Sequence, residues 1–482
     1  MISSGVPIKA PRIITDNFEV ESFSISNLTI SQDLDVTGSL TAGNFSADVH
    51  SGSTLTDGVT TLNSGVVSGA TSYSGDVLTI EDTGGKIISV GHNPDRTSTG
   101  DSAIGIGRGS GENNQTTNSI AIGKYAGQHS QGVGGTSTNA IAIGANAGFG
   151  RHITNNSLLP QKGNAIAIGG NSGVFDQGTS AVALGNSAGS QAQGNDCVAI
   201  GNSSGLSSQG AGSISIGNSA GNTNQGGTTG LAIAIGSTAG ANSQGNSSVA
   251  IGASAAEFNQ GFNCVAIGSV AGQNTQSNSA VAIGNGAGQD TQSPSAVAIG
   301  VGAATLSQGN SAVAIGPAAG GSNQGTFAIS IGSYSGVTDQ SDHAISIGNN
   351  AGNDAQGDNA ISIGAYAGND AQGPGSIAIG QEAGRDAQGN GSISIGNLSA
   401  KTNQGDYSIA IGQQAGGGSV HDQPDQQICI NATGVVKPSG VGSSGKCYIL
   451  PVASNPASGV AGVWHSLVYN KNTNELAYLE SE

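Results

Sequence analysis

The amino-acid sequence predicts an all-β protein built as a parallel β-solenoid of about twenty coils of 16 residues. Apolar-small-apolar-glycine tetrads such as VAIG at 281–284 recur twenty times, and sixteen of the nineteen intervals between their glycines are 16 residues long. Self-similarity at a fixed period indicates a repeat architecture. Glycine supplies 83 of the 482 residues and only 9% are charged, which is unlike the composition of an ordinary globular domain.

Each tetrad predicts a short strand that ends at its glycine, here called the key glycine. The residue three before the key glycine is always Ile or Val, and the residue one before it is Ile in eighteen units. Ala, Ser or Gly stands between them, and this period of two fits a strand and not a helix. We expect the larger side chains, such as Ile283, Ile299 and Ile315, to fill the coil. The small residue would then point outwards and allow a neighbouring chain to approach closely.

Two glycine columns mark the corners of the coil. The key glycines, for example Gly284, Gly300 and Gly316, close each strand, and a second glycine follows four residues later in sixteen units. A corner with so little space for side chains favours glycine, which also takes positive φ without strain.

A glutamine column predicts a ladder of amide side chains. Gln stands eight residues after the key glycine in seventeen of the twenty units, including Gln292, Gln308, Gln324 and Gln340. Identical residues stack in a solenoid, so each amide can bond to its copies above and below. The alternative is a polar Gln-Gly turn that faces water. We favour the ladder because such a turn would also accept Glu, Lys or Ser.

The energetics of a single coil favour an assembly of several chains. Two large apolar residues contribute roughly 1.5–3 kcal/mol each when fully buried, whereas ordering the backbone costs about 1–2 kcal/mol per residue. A lone rod of this composition therefore has too little apolar core. We expect identical rods packed side by side in parallel.

Three segments of the repeat resemble a known family. NSSVAIGASA (246–255), NSAVAIGNGA (278–287) and NSAVAIGPAA (310–319) resemble the head repeats of YadA-like trimeric autotransporter adhesins. The resemblance covers about 87–416. It implies a left-handed parallel β-roll, a homotrimer and an adhesive role without catalysis.

The repeat is also similar to those of fibre-type structural proteins of large DNA viruses and phages. The unit here has 16 residues and a Gln-Gly corner, and we see no secretion signal or C-terminal membrane anchor, which departs from the adhesins. The C-terminal stretch from QICINATGVVKPSG to LVYNKNTNELAYLE is similar to the segment that follows the repeats in the viral proteins. We therefore expect a fibre or spike on a virion surface that serves host attachment. The alternative is an extracellular or cell-surface bacterial adhesin, or a tail-fibre-like part of an injection or secretion device.

The chain outside the repeats suggests two functional ends. The N-terminal region would contact capsid, baseplate or other virion proteins. A final degenerate coil at 428–430 and a hairpin of strands 466–470 and 475–480 would cap the rod, and the cap, with Trp464, would also meet a host receptor, protein or glycan. The predicted regions are an attachment region or β shaft at 1–47, a neck at 48–86, the β-roll at 87–418 and a C-terminal cap or tip at 419–482.

Composition and motifs argue against several classes of function. The formal net charge of −17 disfavours nucleic acid as a partner, and no apolar run is long enough for membrane insertion. We find no Ser-His-Asp set, zinc pattern or phosphate-binding loop, so we expect neither an enzyme nor a cofactor.

Three sets of residues remain as candidates for specific roles. Asp354, Asp370 and Asp386 share one column and are either solvated or bridged by a cation. The insertion at 149–163 is either a contact site, through Phe149, Arg151 and His152, or a plain bulge. Cys197 and Cys264 lie in one column as small core residues, four coils apart and too far for a disulfide. The sequence leaves open whether Cys429 and Cys447 form a disulfide.

Overall fold

The structure, a computed structural model, describes most of the repeat region. Its described residues are 88–90, 100–132, 139–150, 158–227, 229–417, 422–431, 447–450, 466–470 and 475–479. Of the strands at 88–90, 448–450, 466–470 and 475–479 the backbone alone is described. The chain divides into units Met1–Thr79 and Ile80–Glu482, and all described residues belong to the second. The predicted regions at 1–47 and 48–86 lie wholly outside the described residues.

The tetrads form one parallel sheet in which each strand pairs with the next along the chain. The register is in step, so that Val281 pairs with Val297 and Ile283 with Ile299. All twenty predicted strands are present, and two more extend the sheet at its C-terminal end. The 22 strands of this first sheet are Ile88–Val90, Ile104–Ile106, Ile120–Ile122, Ile141–Ile143, Ile166–Ile168, Val182–Leu184, Val198–Ile200, Ile214–Ile216, Ile233–Ile235, Val249–Ile251, Val265–Ile267, Val281–Ile283, Val297–Ile299, Val313–Ile315, Ile329–Ile331, Ile345–Ile347, Ile361–Ile363, Ile377–Ile379, Ile393–Ile395, Ile409–Ile411, Ile428–Asn431 and Cys447–Leu450.

A second parallel sheet forms the return side of the coil. Its strands each end at a glutamine of the predicted column, and only their first and last residues pair in most rungs, as Asp290 with Leu306 and Gln292 with Gln308. The 14 strands are Gln191–Gln193, Ser207–Gln209, Thr223–Gln225, Asn242–Gln244, Phe258–Gln260, Asn274–Gln276, Asp290–Gln292, Leu306–Gln308, Ser322–Gln324, Thr338–Gln340, Asp354–Gln356, Asp370–Gln372, Asp386–Gln388 and Thr402–Gln404.

The fold is therefore an all-β parallel solenoid, and the described residues contain no helix. Each coil hydrogen-bonds to both of its neighbours through the backbone: the N–H of Gly284 donates to the carbonyl of Ile267 (2.8 Å), and the carbonyl of Ile283 accepts from Gly300 (2.8 Å). Neighbouring strands lie about 4.8 Å apart, so the 22 rungs form a rod of about 100 Å.

The coil turns through residues with positive φ on both sides of the first sheet. We call the residue five before the key glycine the first corner residue and the residue two after it the second corner residue. In the coil of Gly268 these are Asn263 (φ 58°) and Val270 (φ 51°). Each corner position, taken separately, holds Ser, Asn or Gly in most coils. Gly and Asn are residues that tolerate left-handed backbone well.

The solenoid continues past the predicted boundary at residue 418. Ile428–Asn431 pairs with Ile409–Ile411, as the predicted degenerate coil requires, and Cys447–Leu450 pairs in parallel with Ile428–Asn431. Part of the predicted cap at 419–482 is thus a continuation of the rod. The predicted hairpin is present as Ser466–Asn470 antiparallel to Glu475–Leu479.

The key glycines supply a sharp test of how closely the coils approach each other. A Cβ added to Gly284 (φ 130°) would lie 2.5 Å from the carbonyl oxygen of Gly300. We expect Gly284→Ala to destabilise the fold by about 3 kcal/mol or more through this contact and the strained backbone. Unfolding followed by circular dichroism measures the loss.

Gly286→Ala is the matched control. Gly286 also has positive φ (65°), but its nearest neighbour to an added Cβ is 3.7 Å away. Backbone strain of about 1–2 kcal/mol is expected there. Equal losses in the two variants would contradict the close packing of successive key glycines.

Candidate functional site

The interior of the coil is lined by small residues. The middle residue of each strand in the first sheet points inwards, and Ala282, Ala298 and Ala314 are fully buried. The residue just before each strand is buried as well, as at Ala280 and Ala296. The middle alanines form the main core cluster of the solenoid together with a further buried column that includes Ala287 and Ala303.

The prediction that Ile and Val fill the coil was therefore wrong. Ile283 and Ile299 are only half-buried and Ile315 is 36% exposed, because the larger side chains of the tetrad point outwards. A period of two identifies two faces of a strand without saying which one is inside. The 16-residue coil is narrow, and its cross-section is filled by alanine methyl groups and glutamine side chains.

The outward Ile and Val side chains form one apolar face along the rod, here called the apolar face. It consists of the residues three and one before each key glycine, and its described side chains run from Ile104 to Ile430. None of these positions carries a charge in any of the twenty units. The residues one before the key glycine are the more exposed of the two rows. Those that are more than a third exposed include Ile106, Leu184, Ile216, Ile267, Ile315, Ile331, Ile363, Ile379, Ile395 and Ile411.

The predicted glutamine ladder is present, and it lies inside the coil. Gln292 is fully buried. Its Nε2 donates to the carbonyls of Val281 (2.8 Å) and Ala296 (3.2 Å) and to Oε1 of Gln308 (3.0 Å). Gln308 repeats this pattern towards Gln324 (3.0 Å), so each amide ties together two sides of its own coil and the next coil.

The ladder runs in two continuous stretches, 161–225 and 260–423. Gln161 and Gln423 belong to it (3.0 Å to Gln177 and 3.1 Å from Gln404), although insertions move them out of the 16-residue spacing. Between the stretches, Oε1 of Gln244 and Oε1 of Gln260 are buried without a hydrogen-bond partner. This interruption begins at the insertion that follows Gln225.

Serine at the inward middle position adds a donor to the ladder. In the coils with ISIG tetrads, Oγ of Ser346 donates to Oε1 of Gln356 (2.6 Å), and Oγ of Ser362 does the same for Gln372 (2.6 Å). Alanine and serine thus alternate freely in this column because the buried hydroxyl always has a partner.

The predicted acidic column lies on the outside of the second sheet. Asp354, Asp370 and Asp386 stand on successive rungs with their Cα atoms in register. Nε of Arg385 lies 3.4 Å from Oδ1 of Asp386, so one carboxylate already has a cationic neighbour. In the described parts of the chain, no group of three or more His, Cys, Asp or Glu side chains is placed to hold a metal ion.

Basic side chains also offset a second acidic group near this column. Nζ of Lys401 lies 2.7 Å and Nη1 of Arg385 3.0 Å from Oε2 of Glu382. The hydrogen bond from Lys401 is the main cause that lowers the pKa of Glu382, and Arg385 lowers it further. No other Lys or Arg occurs between Lys162 and Arg385 in the sequence, so this cluster is local.

The candidate contact residues of the insertion are only partly described. The ring of Phe149 packs edge-on against His129 (5.2 Å between centroids), and its carbonyl accepts from the backbone N–H of His129 (3.1 Å). Phe149 thus takes part in the stacking of coils. Arg151 and His152, like Trp464 of the predicted tip, lie outside the described residues.

The cysteines act as small interior residues where they replace Ala or Ser. Cys197 and Cys264 are buried and free, and their thiols donate to the carbonyls of Gly210 (3.0 Å) and Ser277 (2.9 Å). Burial raises the pKa of both thiols. Cys429 is buried, Cys447 is exposed, and both are free; their strands are paired one residue out of step, with Cys447 opposite Ile428.

No family model, curated protein or solved structure matches the chain. Within the described residues, no helix is long and apolar enough to cross a membrane.

Replacing one glutamine of the ladder tests the role of the buried amides. We expect Gln308→Leu, which keeps a similar volume, to destabilise the fold by about 3 kcal/mol. It removes the two N–H donors that three acceptors share and leaves Nε2 of Gln292 without one acceptor. Denaturant unfolding measures the change. Gln381→Leu, at an exposed position, is the control and should lie within about 0.5 kcal/mol of wild type. A similarly small effect at Gln308 would contradict a structural ladder.

Calcium distinguishes a solvated acidic column from a bridged one. Because Asp386 already pairs with Arg385 and the other two carboxylates are exposed, we expect millimolar calcium to leave the melting temperature unchanged. A rise of several degrees that Asp370→Asn abolishes would show instead that a cation bridges the column.

Proposed function

We propose that this chain is a structural fibre or spike protein of a virus or phage particle. In this proposal three chains associate through the apolar face into a rigid, left-handed β-roll that projects a recognition surface for host attachment. The observation that carries the proposal is the uncharged face of Ile and Val, which continues along twenty rungs from Ile104 to Ile430.

An exposed apolar surface of this length favours association. Contiguous apolar patches on soluble monomers rarely exceed a few hundred Å², whereas this face follows most of the rod. Covering the exposed parts of the two side chains in each coil would contribute roughly 1 kcal/mol per coil. Summed over the rod, this supplies the apolar burial that the narrow interior lacks.

A second copy of the same chain is the partner that fits this face. The partner must present apolar side chains at the rung spacing of about 4.8 Å and no charge over the whole length. The apolar face of another copy in parallel has both properties. The choice of three chains comes from the resemblance to the head repeats of trimeric adhesins.

The mechanical role follows from how the coils are joined. Every coil is tied to its neighbours by main-chain hydrogen bonds, and through most of the rod also by the buried glutamines. Ladders of this kind give cross-β assemblies their rigidity. Such a rod serves as a spacer, and the proposal includes no catalytic step and no cofactor.

The ends of the rod would make the specific contacts. In the proposed arrangement the N-terminal region contacts capsid, baseplate or other virion proteins, and a host surface receptor, protein or glycan, is bound at the other end. The alternative is a bacterial surface adhesin or a tail-fibre-like component of an injection or secretion device. The resemblance of the tetrads to adhesin heads supports this alternative, and genes for capsid or baseplate proteins beside this one would favour the viral assignment.

Mass in solution tests the proposed assembly. We expect light scattering of the full chain to report three copies. Ile299→Asp combined with Ile315→Asp places charges on the apolar face and should yield folded single chains, because unpaired buried charge is costly. Ser307→Asp, on the second sheet, is the control and should remain trimeric. A wild-type monomer would refute the assembly.

A further inference from the structure

The uniformity of the apolar face leaves the alignment of neighbouring copies undetermined. If one rod slides along another by a single coil, nearly all the Ile and Val contacts form again, because the rungs are alike. This question arises only if the chains associate as proposed above. A residue outside the repeat pattern would therefore favour one alignment over the shifted ones.

One coil carries large aromatic residues at both borders of the apolar face. The first and second corner residues flank each strand of the first sheet, and each of the two positions, taken separately, is Ser, Asn or Gly in most coils. In the coil of Gly332 they are Phe327 and Tyr334. None of the other nineteen units has an aromatic residue at both corners.

Both residues occupy conformations that large side chains rarely adopt. Phe327 has φ 57° and Tyr334 has φ 56°, the left-handed region that disfavours bulky residues. Each is also 52% exposed. The ring of His343 stacks on Phe327 (5.4 Å between centroids, 28° between planes), which supports one side of that ring. Tyr125, Tyr366 and Tyr407 also have positive φ at single corners of other coils. The pair of exposed rings in one coil is therefore the distinctive feature, and it indicates a contact that compensates for both penalties.

The symmetry of a closed ring of parallel rods brings these two corners together. Such contacts are heterologous, so that one edge of each copy meets the opposite edge of the next. Because Phe327 and Tyr334 belong to the same coil, they meet only when the copies are aligned without a shift. We propose that Phe327 of each copy packs against Tyr334 of the neighbouring copy and thereby sets the register of the assembly.

The surroundings of the two residues suit such a contact. Residues 326–336 carry no charge, and aromatic pairs gain stability beyond the apolar area that they bury. The contact also continues the apolar face at each of its borders. A different occupant, such as a receptor, would have to match both the corners and the uncharged face between them.

Cysteine cross-linking tests the register in the full chain. Cys447→Ser first removes the exposed native thiol, since the other described cysteines are buried. Phe327→Cys with Tyr334→Cys should then yield covalent dimers and trimers on mild oxidation. The two positions lie across one strand and two corners, roughly 15–20 Å apart, so they cannot bond within one chain.

Pairs displaced by one coil are the matched controls. Phe327→Cys with Asn350→Cys uses the second corner one coil later, and Phe327→Cys with Ala318→Cys uses the one before. We expect at least tenfold less cross-linking from both. Equal or greater cross-linking by a displaced pair, in a protein of three copies, would overturn the unshifted register and leave the assembly standing.

A second variant separates register from folding. Phe327→Asn with Tyr334→Asn introduces residues that tolerate positive φ, so the coil should remain folded and the mass should stay at three copies. Cross-linking by a reporter pair in the neighbouring coil, Ser311→Cys with Ala318→Cys, should fall several-fold. Unchanged reporter cross-linking would overturn the role of the two aromatic residues.

The remaining outcomes distinguish the two proposals. A wild-type protein that is monomeric contradicts the assembly itself. Three copies without cross-links in any corner pair would overturn the edge contact and point to another occupant of the aromatic corners. Dimers from Phe327→Cys alone would indicate antiparallel packing and would also overturn it.

Discussion

The narrow interior of the 16-residue coil is the constraint on which the rest of the structure depends. Two three-residue strands and their corners enclose a space that accepts alanine methyl groups and one glutamine side chain per coil. Ala282 and Gln292 are both fully buried there, whereas Ile283 points outwards. The fold consequently has no conventional aliphatic core, and its largest apolar surface lies outside.

A glutamine is suited to this interior because it satisfies polar groups on three sides. Its amide nitrogen reaches carbonyls on both sides of its own coil and the oxygen of the next glutamine, as Gln292 does. An alkyl side chain of the same length would leave those acceptors with fewer donors at a cost of about 1–3 kcal/mol for each group left unsatisfied. The same reasoning identifies two less cohesive parts of the ladder. Buried Oε1 atoms lack partners at Gln244 and Gln260, and also at Gln115, Gln131 and Gln161 near the N-terminal end of the described rod.

The sequence predicted the rungs of this fold better than it predicted their orientation. All twenty tetrads are strands in register, the degenerate coil at 428–430 joins them, and the acidic residues align as expected. The inward and outward faces were assigned the wrong way round because the usual rule, larger apolar residues inside, assumes an interior wide enough to hold them. The uniformly small residue between each pair of Ile and Val was the available signal.

The second sheet could not be predicted from residue preferences. Its strands are Thr-Asn-Gln, Asp-Ala-Gln and similar triplets, which have little β propensity. Their middle residues have positive φ, as at Thr291 (50°) and Ala371 (48°). Hydrogen bonds from the coils on either side impose this conformation, so it becomes visible only once the rungs are stacked.

The placement of the three insertions connects the structure of the coil to its function. Two of them, in the 21- and 19-residue intervals, follow the ladder glutamines Gln131 and Gln225, and the third, at 149–163, precedes Gln161. Each leaves the tetrads on either side paired in register, as Ile120 with Ile141, Ile141 with Ile166 and Ile214 with Ile233. The length of the chain therefore varies where a bulge leaves the apolar face uninterrupted. None of the three interrupts a tetrad of the apolar face, as is expected if the whole apolar face is covered by neighbouring copies.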